Sequence, residues 1–497
     1  MRFVVLALLF FVIPSSMLFG QTSNVFLNRE FWKSDPSISM IDKQILLGND
    51  VSELNKFAFD GMSYALIEKV NNTTLKHVLK YPGNGVNKLT HDGRTYMFWA
   101  AYKGNLEMMK YLLSKGAKTD VVDSHGYTIA NFAAQSGIQD VALYDFMANC
   151  GANFVQDKNK NGANVMLLVS PFINSLKIID YFVSQGVALE SLDDAGSGIF
   201  SYVAKGGNIH ILQRLLEKGV PFDLENKYGD NAILFASQGN RGQNGMAIYE
   251  YLKSKGIALN VIGENGRNPL HYIAFSNENL DVYKFFINHN VDVSLPDDFG
   301  RSPFMNAAAN NTSEVVQLLS TYIKDINAKD DKGRTALALA VSENDVTVVN
   351  MLLKLAADIN TYDAQGNTLA YYLLNNYKSN TVDVFEEKLS VLTSNGLVVN
   401  RPQSNGNTLL HIATERHNLA LLKRLEEFSI DVNLKNNNGM TALQIAAMKA
   451  SDLDILNYLL GQGADKTVVT EFGESIYDLA SENELLHIEN NDINFLK

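Results

Sequence analysis

The sequence predicts an all-α fold, an α-solenoid of about 12–13 stacked helix–turn–helix units carrying β-hairpin loops, with a capping unit at each end. Three observations lead there. Glycines recur at Gly61, Gly93, Gly126, Gly162, Gly196, Gly229, Gly266, Gly300, Gly333, Gly366, Gly406, Gly439 and Gly473, with spacings of 32, 33, 36, 34, 33, 37, 34, 33, 33, 40, 33 and 34. A period of that size marks supersecondary units that cannot bury their apolar faces alone and do so on their neighbours. Next, residues 90–123 display one whole unit. The turn His91-Asp92-Gly93-Arg94 opens it, and a first helix follows with Met97, Ala100 and Ala101 on one side. Gly104-Asn105 breaks that helix, and a second carries Leu106, Met109, Leu112 and Leu113 at the spacing of a buried stripe. Gly116 then stands where a helix C-terminus needs a left-handed residue. Finally, short fragments repeat in register: Asn268-Pro269-Leu270-His271, Thr408-Leu409-Leu410-His411, Thr335-Ala336-Leu337, Thr441-Ala442-Leu443, and the endings Gly116-Ala117, Gly151-Ala152 and Gly463-Ala464-Asp465.

These fragments resemble the ankyrin repeat family. The resemblance runs from about Gly61 to the C-terminus, more than four-fifths of the chain. It implies that the hairpin tips and the ends of the first helices line a concave groove where other proteins bind. It also implies that His271 and His411, at the family's Leu-His position, are structural hydrogen-bonders between neighbouring turns.

Residues 1–20 read as a secretory signal: Arg2, an apolar run over 3–13, then Pro14-Ser15-Ser16 and a small residue, Gly20, at the expected cleavage site. The run is too short to span a bilayer. The chain is therefore expected to be exported, periplasmic or secreted, with no membrane insertion after cleavage. Residues 21–60 read as a degenerate N-terminal cap, with Phe31-Trp32 on a short helix. Ser37 or Ser39 caps a second helix holding Ile41, Ile45, Leu46 and Leu47, and Gly48 ends it. Residues 61–473 form the array. Three insertions lengthen it, and the two larger, at 239–245 and around 375–383, fall between the two helices of a unit. Residues 474–497 close the chain as capping helices, with one helix expected over 476–486.

Lys and Arg total 42 against 54 Asp and Glu, a net charge of −12, or about −13 without Arg2. That balance disfavours nucleic acid, whose phosphates need a basic stripe, and anionic membrane surfaces. The single cysteine, Cys150, forms no internal disulfide and reads as a small buried apolar residue. The nine histidines show no His-x-x-x-His pairing, and no Cys-x-x-Cys, EF-hand loop or Gly-x-Ser-x-Gly elbow occurs. The loop over 239–245 lacks the Lys-Ser/Thr of a phosphate loop. No catalytic residue, metal or cofactor is expected. His91 and His125, on consecutive hairpins, are expected to approach each other.

Binding is the better-supported function. Residues flanking each turn glycine are expected to be free of core duty. Among them, with the first-helix ends, the candidate protein-binding residues are His91, Arg94, Tyr102, His125, Tyr127, Tyr228, Arg267, Phe275, Phe299, Arg301 and Arg334. Arg and aromatic side chains dominate protein interfaces. Arg267, Arg301 and Arg334 recur at one position of consecutive units, a basic ladder within an acidic chain that suits a partner with acidic segments. The expected protein is a monomeric, non-enzymatic exported scaffold. The alternatives are a secreted factor acting on another cell's proteins and an accessory of a periplasmic enzyme.

Overall fold

The computed structural model describes residues 24–374, 377, 381–488 and 492–497. The chain forms two compact units, Met1–Val203 with His210–Pro221, and Ala204–Ile209 with Phe222–Lys497. Each is built from the same repeated pair of short antiparallel helices. The segment read as a signal lies outside the described residues, as do 375, 376 and 378–380 of the third insertion.

The unit over 90–123 shows why the pair forms. Tyr96–Tyr102 is almost wholly apolar and buries six of its seven residues, because first helices are covered by neighbours on both flanks. It packs beside Gly61–Ile67 on one side and Ile129–Gln135 on the other. Asn105 then starts Leu106–Ser114, its side chain accepting from the Met108 N–H. This second helix buries Met108, Met109 and Leu112. Leu113, expected in the stripe, lies 38% exposed. The covered face is rotated toward Met108 because a second helix touches its own first helix more than its neighbours. In the other unit the same order holds, as where Pro303–Asn310 packs beside Ala336–Glu343 and Ser313–Ser320 beside Val346–Lys354.

Among the described residues there is no strand. The hairpins make at most isolated bridges, such as Val122 with Thr128 and Lys158 with Asn164. Their arms are too short to continue a ladder, and the turn residues spend their backbone groups on the next turn instead. Asp331 N–H donates to Phe299 O (3.1 Å), Ala364 N–H to Lys332 O (2.8 Å) and Asn437 N–H to Asn405 O (2.9 Å).

Twelve of the thirteen periodic glycines have positive φ, and Gly61 does not. Gly61 opens the helix Gly61–Ile67 behind the N-cap Asp60. Glycine is needed there for space: a Cβ would sit 2.7 Å from a methyl of Val51. The turn before it is closed by Asn55 N–H donating to Phe59 O (2.8 Å), with Ala58 at φ +59 in the left-handed position. The glycine period thus begins at Gly93, one turn later than the sequence suggests.

The caps also differ from expectation. Ser37, one of the two expected caps, starts Ile38–Leu46, and Trp32 is buried, but Leu46 is 88% exposed and Leu47 is exposed too. Among the described residues no helix covers its outer flank, and only Ile41 of this helix is buried. At the other end, the helix expected over 476–486 is broken into Ile476–Glu482 and Glu484–Ile488. The break is Asn483, whose side-chain amide donates to Ala447 O (3.1 Å) and Ala450 O (2.8 Å) at the end of the preceding first helix. Asn311 and Asn344 do the same one repeat apart, Asn311 donating to Ala274 O and Asn344 to Ala308 O. This asparagine brace satisfies helix-end carbonyls that would otherwise be orphaned, and the sequence reading missed it.

The insertion at 239–245 does lie between two helices, Ala232–Gln238 and Met246–Ser254. In the third insertion the second helix itself is lengthened, Val382–Ser394 running 13 residues where its counterpart Val346–Lys354 has 9.

Candidate protein-binding face

Several turns are organised by the side chain three residues before their glycine. Asp297 Oδ1 accepts from the Phe299 and Arg301 N–H groups (both 3.0 Å), and Asp330 Oδ1 accepts from Lys332 (3.0 Å) and Arg334 (2.9 Å). Asp123 holds His125 and Tyr127 in the same way. The turn backbone is thus saturated, and each Asp side chain, itself buried, keeps its other oxygen for a cation. These carboxylates decide the fate of the arginines.

Residues flanking the glycines are not all free. Arg94 is only 8% exposed. Its Nε donates to Asp123 Oδ2 (2.8 Å), its Nη1 lies 3.1 Å from Asp92 Oδ2, and its guanidinium covers the Phe132 ring at 4.2 Å. Ser197 and Asp230 are buried as well. Arg267 donates through Nε to Asp297 Oδ2 (3.1 Å), and Arg334 through Nε to Asp330 Oδ2 (2.8 Å). The expected ladder of three equivalent cations is therefore broken. Two are neutralised within the framework, and Arg301 is left, partly buried, with Nε and Nη2 lacking any hydrogen-bond partner.

In the N-terminal unit the candidates form one aromatic cluster. His91 stacks on Phe59 (centroids 4.4 Å), Tyr102 stacks on Phe132 (5.5 Å), and Tyr127 meets the Phe132 edge (6.4 Å). His91 and His125 do come together: their Nε2 atoms lie 3.4 and 3.2 Å from the same Asp92 Oδ2. His91 Nδ1–H is committed to Phe57 O (2.8 Å). Among the described residues no group of three His, Cys, Asp or Glu side chains is placed to hold a metal ion.

In the C-terminal unit the candidates stand apart and outward. Tyr228 is 46%, Phe275 40% and Phe299 54% exposed. Beyond them lies a feature the sequence reading did not select. A cavity of about 500 Å³ opens between two hairpins and their first helices, lined by Met440, Ile445, Met448 and Leu479 and rimmed by Glu415, Glu471, Glu474 and Glu482. Phe472 stands at its edge, 89% exposed. The signal was available: Phe472 precedes a turn glycine as Phe299 does, and Met448 lies in the last turn of the first helix Ala442–Lys449. Each looks ordinary alone, and only the fold joins them.

His271 and His411 are framework groups. His271 Nδ1 accepts from the Asn268 N–H (3.0 Å), so its Nε2–H donates to Arg301 O (3.1 Å) on the next turn. His411 repeats this with the Thr408 N–H (3.2 Å) and Met440 O (3.0 Å). Burial, the largest influence on each, pushes both imidazoles below their ordinary range. No described helix is long and apolar enough to cross a membrane.

Comparison with known proteins agrees with this architecture. The family described as ankyrin repeats (3 copies) matches residues 62–158, 200–297, 242–330, 270–363 and 364–470. A protein of Acanthamoeba polyphaga mimivirus named for its ankyrin repeats is 26% identical over 284 residues, 57% of this chain and 66% of that protein. One of Rickettsia felis, likewise named, is 24% identical over 233 residues, 46% of this chain and 50% of its own length. The phosphocholine transferase AnkX of Legionella pneumophila is 23% identical over 181 residues, 36% of this chain and 19% of the transferase. The chain thus spans two-thirds or less of the relatives it matches.

Proposed function

The chain belongs to the ankyrin repeat family, and on that premise we propose that it is a non-enzymatic, exported scaffold that binds one or more proteins through its hairpin-side face. One observation carries the reading. On turns whose backbone is already saturated, Phe299 and Phe472 stand outward, and Tyr228 and Phe275 are exposed as well. Exposed aromatics on rigid turns lose little freedom on binding and bury much area. Tyr228, Phe275, Phe299, His125 and Tyr127 are the proposed contacts on this face, together with Arg301. Arg94, Arg267 and Arg334 position the turns. Export rests on the sequence pattern of residues 1–20, and the partner is a protein rather than nucleic acid on the grounds of the net charge of −12.

The test replaces Phe275 and Phe299 by Ala in the full chain. The helical signal and melting temperature should hold while recovery of a partner crosslinked in cells is lost. Unchanged recovery overturns this face. Export is tested separately by the N-terminal residue of the mature chain, expected to be Gln21; a chain retaining Met1 in the cytosolic fraction contradicts it.

A further inference from the structure

Arg267, Arg301 and Arg334 occupy equivalent positions, yet only two buried carboxylates serve the three. Arg267 reaches forward to Asp297 of the following turn, as Arg94 reaches forward to Asp123. Arg334 turns back to Asp330 of its own turn, with Nη2 at 2.7 Å. The direction of pairing reverses between them, and Arg301 falls at the reversal. Its own turn's aspartate is taken from one side and the next turn's from the other. The result is a guanidinium with two buried nitrogens that no acceptor satisfies. Burial is the main influence holding its ionisation below the usual arginine range, and the nearby Arg334 charge adds to it. Asp297, Asp330 and Glu343 act on it through space, none within hydrogen-bond reach of those nitrogens. The exposed Asp298 and Asp331 lie instead over the turn glycines Gly266 and Gly300.

We propose that Arg301 is the anchoring cation for a single carboxylate, an Asp or Glu side chain of a bound protein segment whose neighbouring apolar residue seats on Phe299. This rests on the reading that the hairpin-side face binds protein, and it names the chemistry that face selects. The pairing count argues for a carboxylate: two of the three guanidiniums hold a buried carboxylate each, and Arg301 alone has donors left over, enough for one monoanion. A phosphoryl dianion would need a second cation, and Arg267 and Arg334 are already committed. The apolar half follows from Phe299, two residues away across Gly300 and 54% exposed. An arginine rotating out of its unsatisfied position to meet an external carboxylate exchanges orphaned donors for a charge-assisted, bidentate pair. No framework bond is broken in doing so, which is not true of Arg267 or Arg334.

The experiment uses the full chain, immobilised and panned against a random peptide display library, in parallel with its R301Q variant. The wild type should enrich peptides carrying Asp or Glu next to an aliphatic or aromatic residue, and R301Q should enrich the apolar residue without the acid. For the leading peptide, exchange of the acid for its amide should weaken binding to the wild type roughly tenfold to a hundredfold, the value of a charge-assisted pair. R301Q should not distinguish the two, and should melt no lower than the wild type. Apolar peptides without acidic enrichment overturn the role of Arg301 and leave the groove reading standing. A phosphoserine peptide that binds more tightly than the carboxylate form, or a lowered melting point for R301Q, also overturns it. A wild type that selects no peptide at all overturns the groove reading together with this one.

Discussion

The guanidinium of Arg334 folds back on Asp330, four residues earlier in the same turn, with Nη2 2.7 Å from Oδ2. The same carboxylate ties two backbone N–H groups through Oδ1. One buried side chain therefore shapes the turn and pins the cation beside it. Asp330→Ala leaves both N–H groups and the guanidinium unsatisfied, and should destabilise the chain by about 2–4 kcal/mol in urea denaturation. A change below about 0.5 kcal/mol, the size expected of a surface substitution, would deny the turn this role.

Two glycines of similar φ separate backbone strain from close approach. At Gly333 (φ +73) a Cβ would lie 2.3 Å from Ala364 N and 2.7 Å from Asp363 C, the next turn's backbone. At Gly116 (φ +88) it would meet nothing within 4 Å. Gly116→Ala should cost about 1 kcal/mol, for left-handed strain alone. Gly333→Ala should cost about 3 kcal/mol or more, because the neighbouring turn must also move. Equal losses of stability in the two variants would contradict this stacking.

Acid should weaken the array through His271 and His411. Their folded ionisation lies below the ordinary value of 6.5, so below pH 6.5 the unfolded chain binds more protons than the folded one. Stability accordingly falls as pH falls through that window. Gln444 already holds an equivalent position, its Oε1 accepting from the Thr441 N–H at 2.9 Å. Replacing both histidines by Gln should keep the cap and flatten the stability profile between pH 6.5 and 5, followed by thermal melting. A slope equal to that of the wild type would remove these histidines as the cause.

Lys388 is buried on the lengthened helix Val382–Ser394, its Nζ donating to Val341 O at 2.9 Å. Burial pushes its ionisation down to about 8 from 10.5. Between those values the unfolded chain holds the extra proton, so stability rises with pH across that range. Lys388→Met should stabilise the chain at pH 7 by roughly 1–3 kcal/mol, by removing a buried unpaired charge, and should abolish the alkaline rise. A destabilised variant would show that the Nζ bond to Val341 outweighs desolvation.

Much of the fold was legible because repetition multiplies weak signals: the turn after Gly93 alone says little, while twelve glycines in register define the unit. What stayed hidden depended on which neighbour a side chain finds. Gly61 looks like a turn glycine because it keeps the period, but its requirement comes from Val51 pressing on it. Leu46 looks like core because it is leucine, and is exposed because no described helix stacks outside its own. At the candidate site the positions of Arg267, Arg301 and Arg334 were readable. Their inequality was not, since it depends on whether each one reaches the aspartate of the following turn, as Arg267 does, or of its own, as Arg334 does. The acid-rimmed cavity beside Phe472 joins residues more than sixty positions apart, from Glu415 to Glu482, and no local pattern announces it.

The central claim is that the hairpin-side face, and not the outer side of the second helices, meets the partner. Photo-crosslinking amino acids placed one at a time at Phe299, Phe472 and Gln317, the last exposed on the second helix Ser313–Ser320, test it in cells. The account predicts one shared adduct from the Phe299 and Phe472 positions and none from Gln317. Adducts from Gln317 alone, or of equal yield at all three positions, would contradict it.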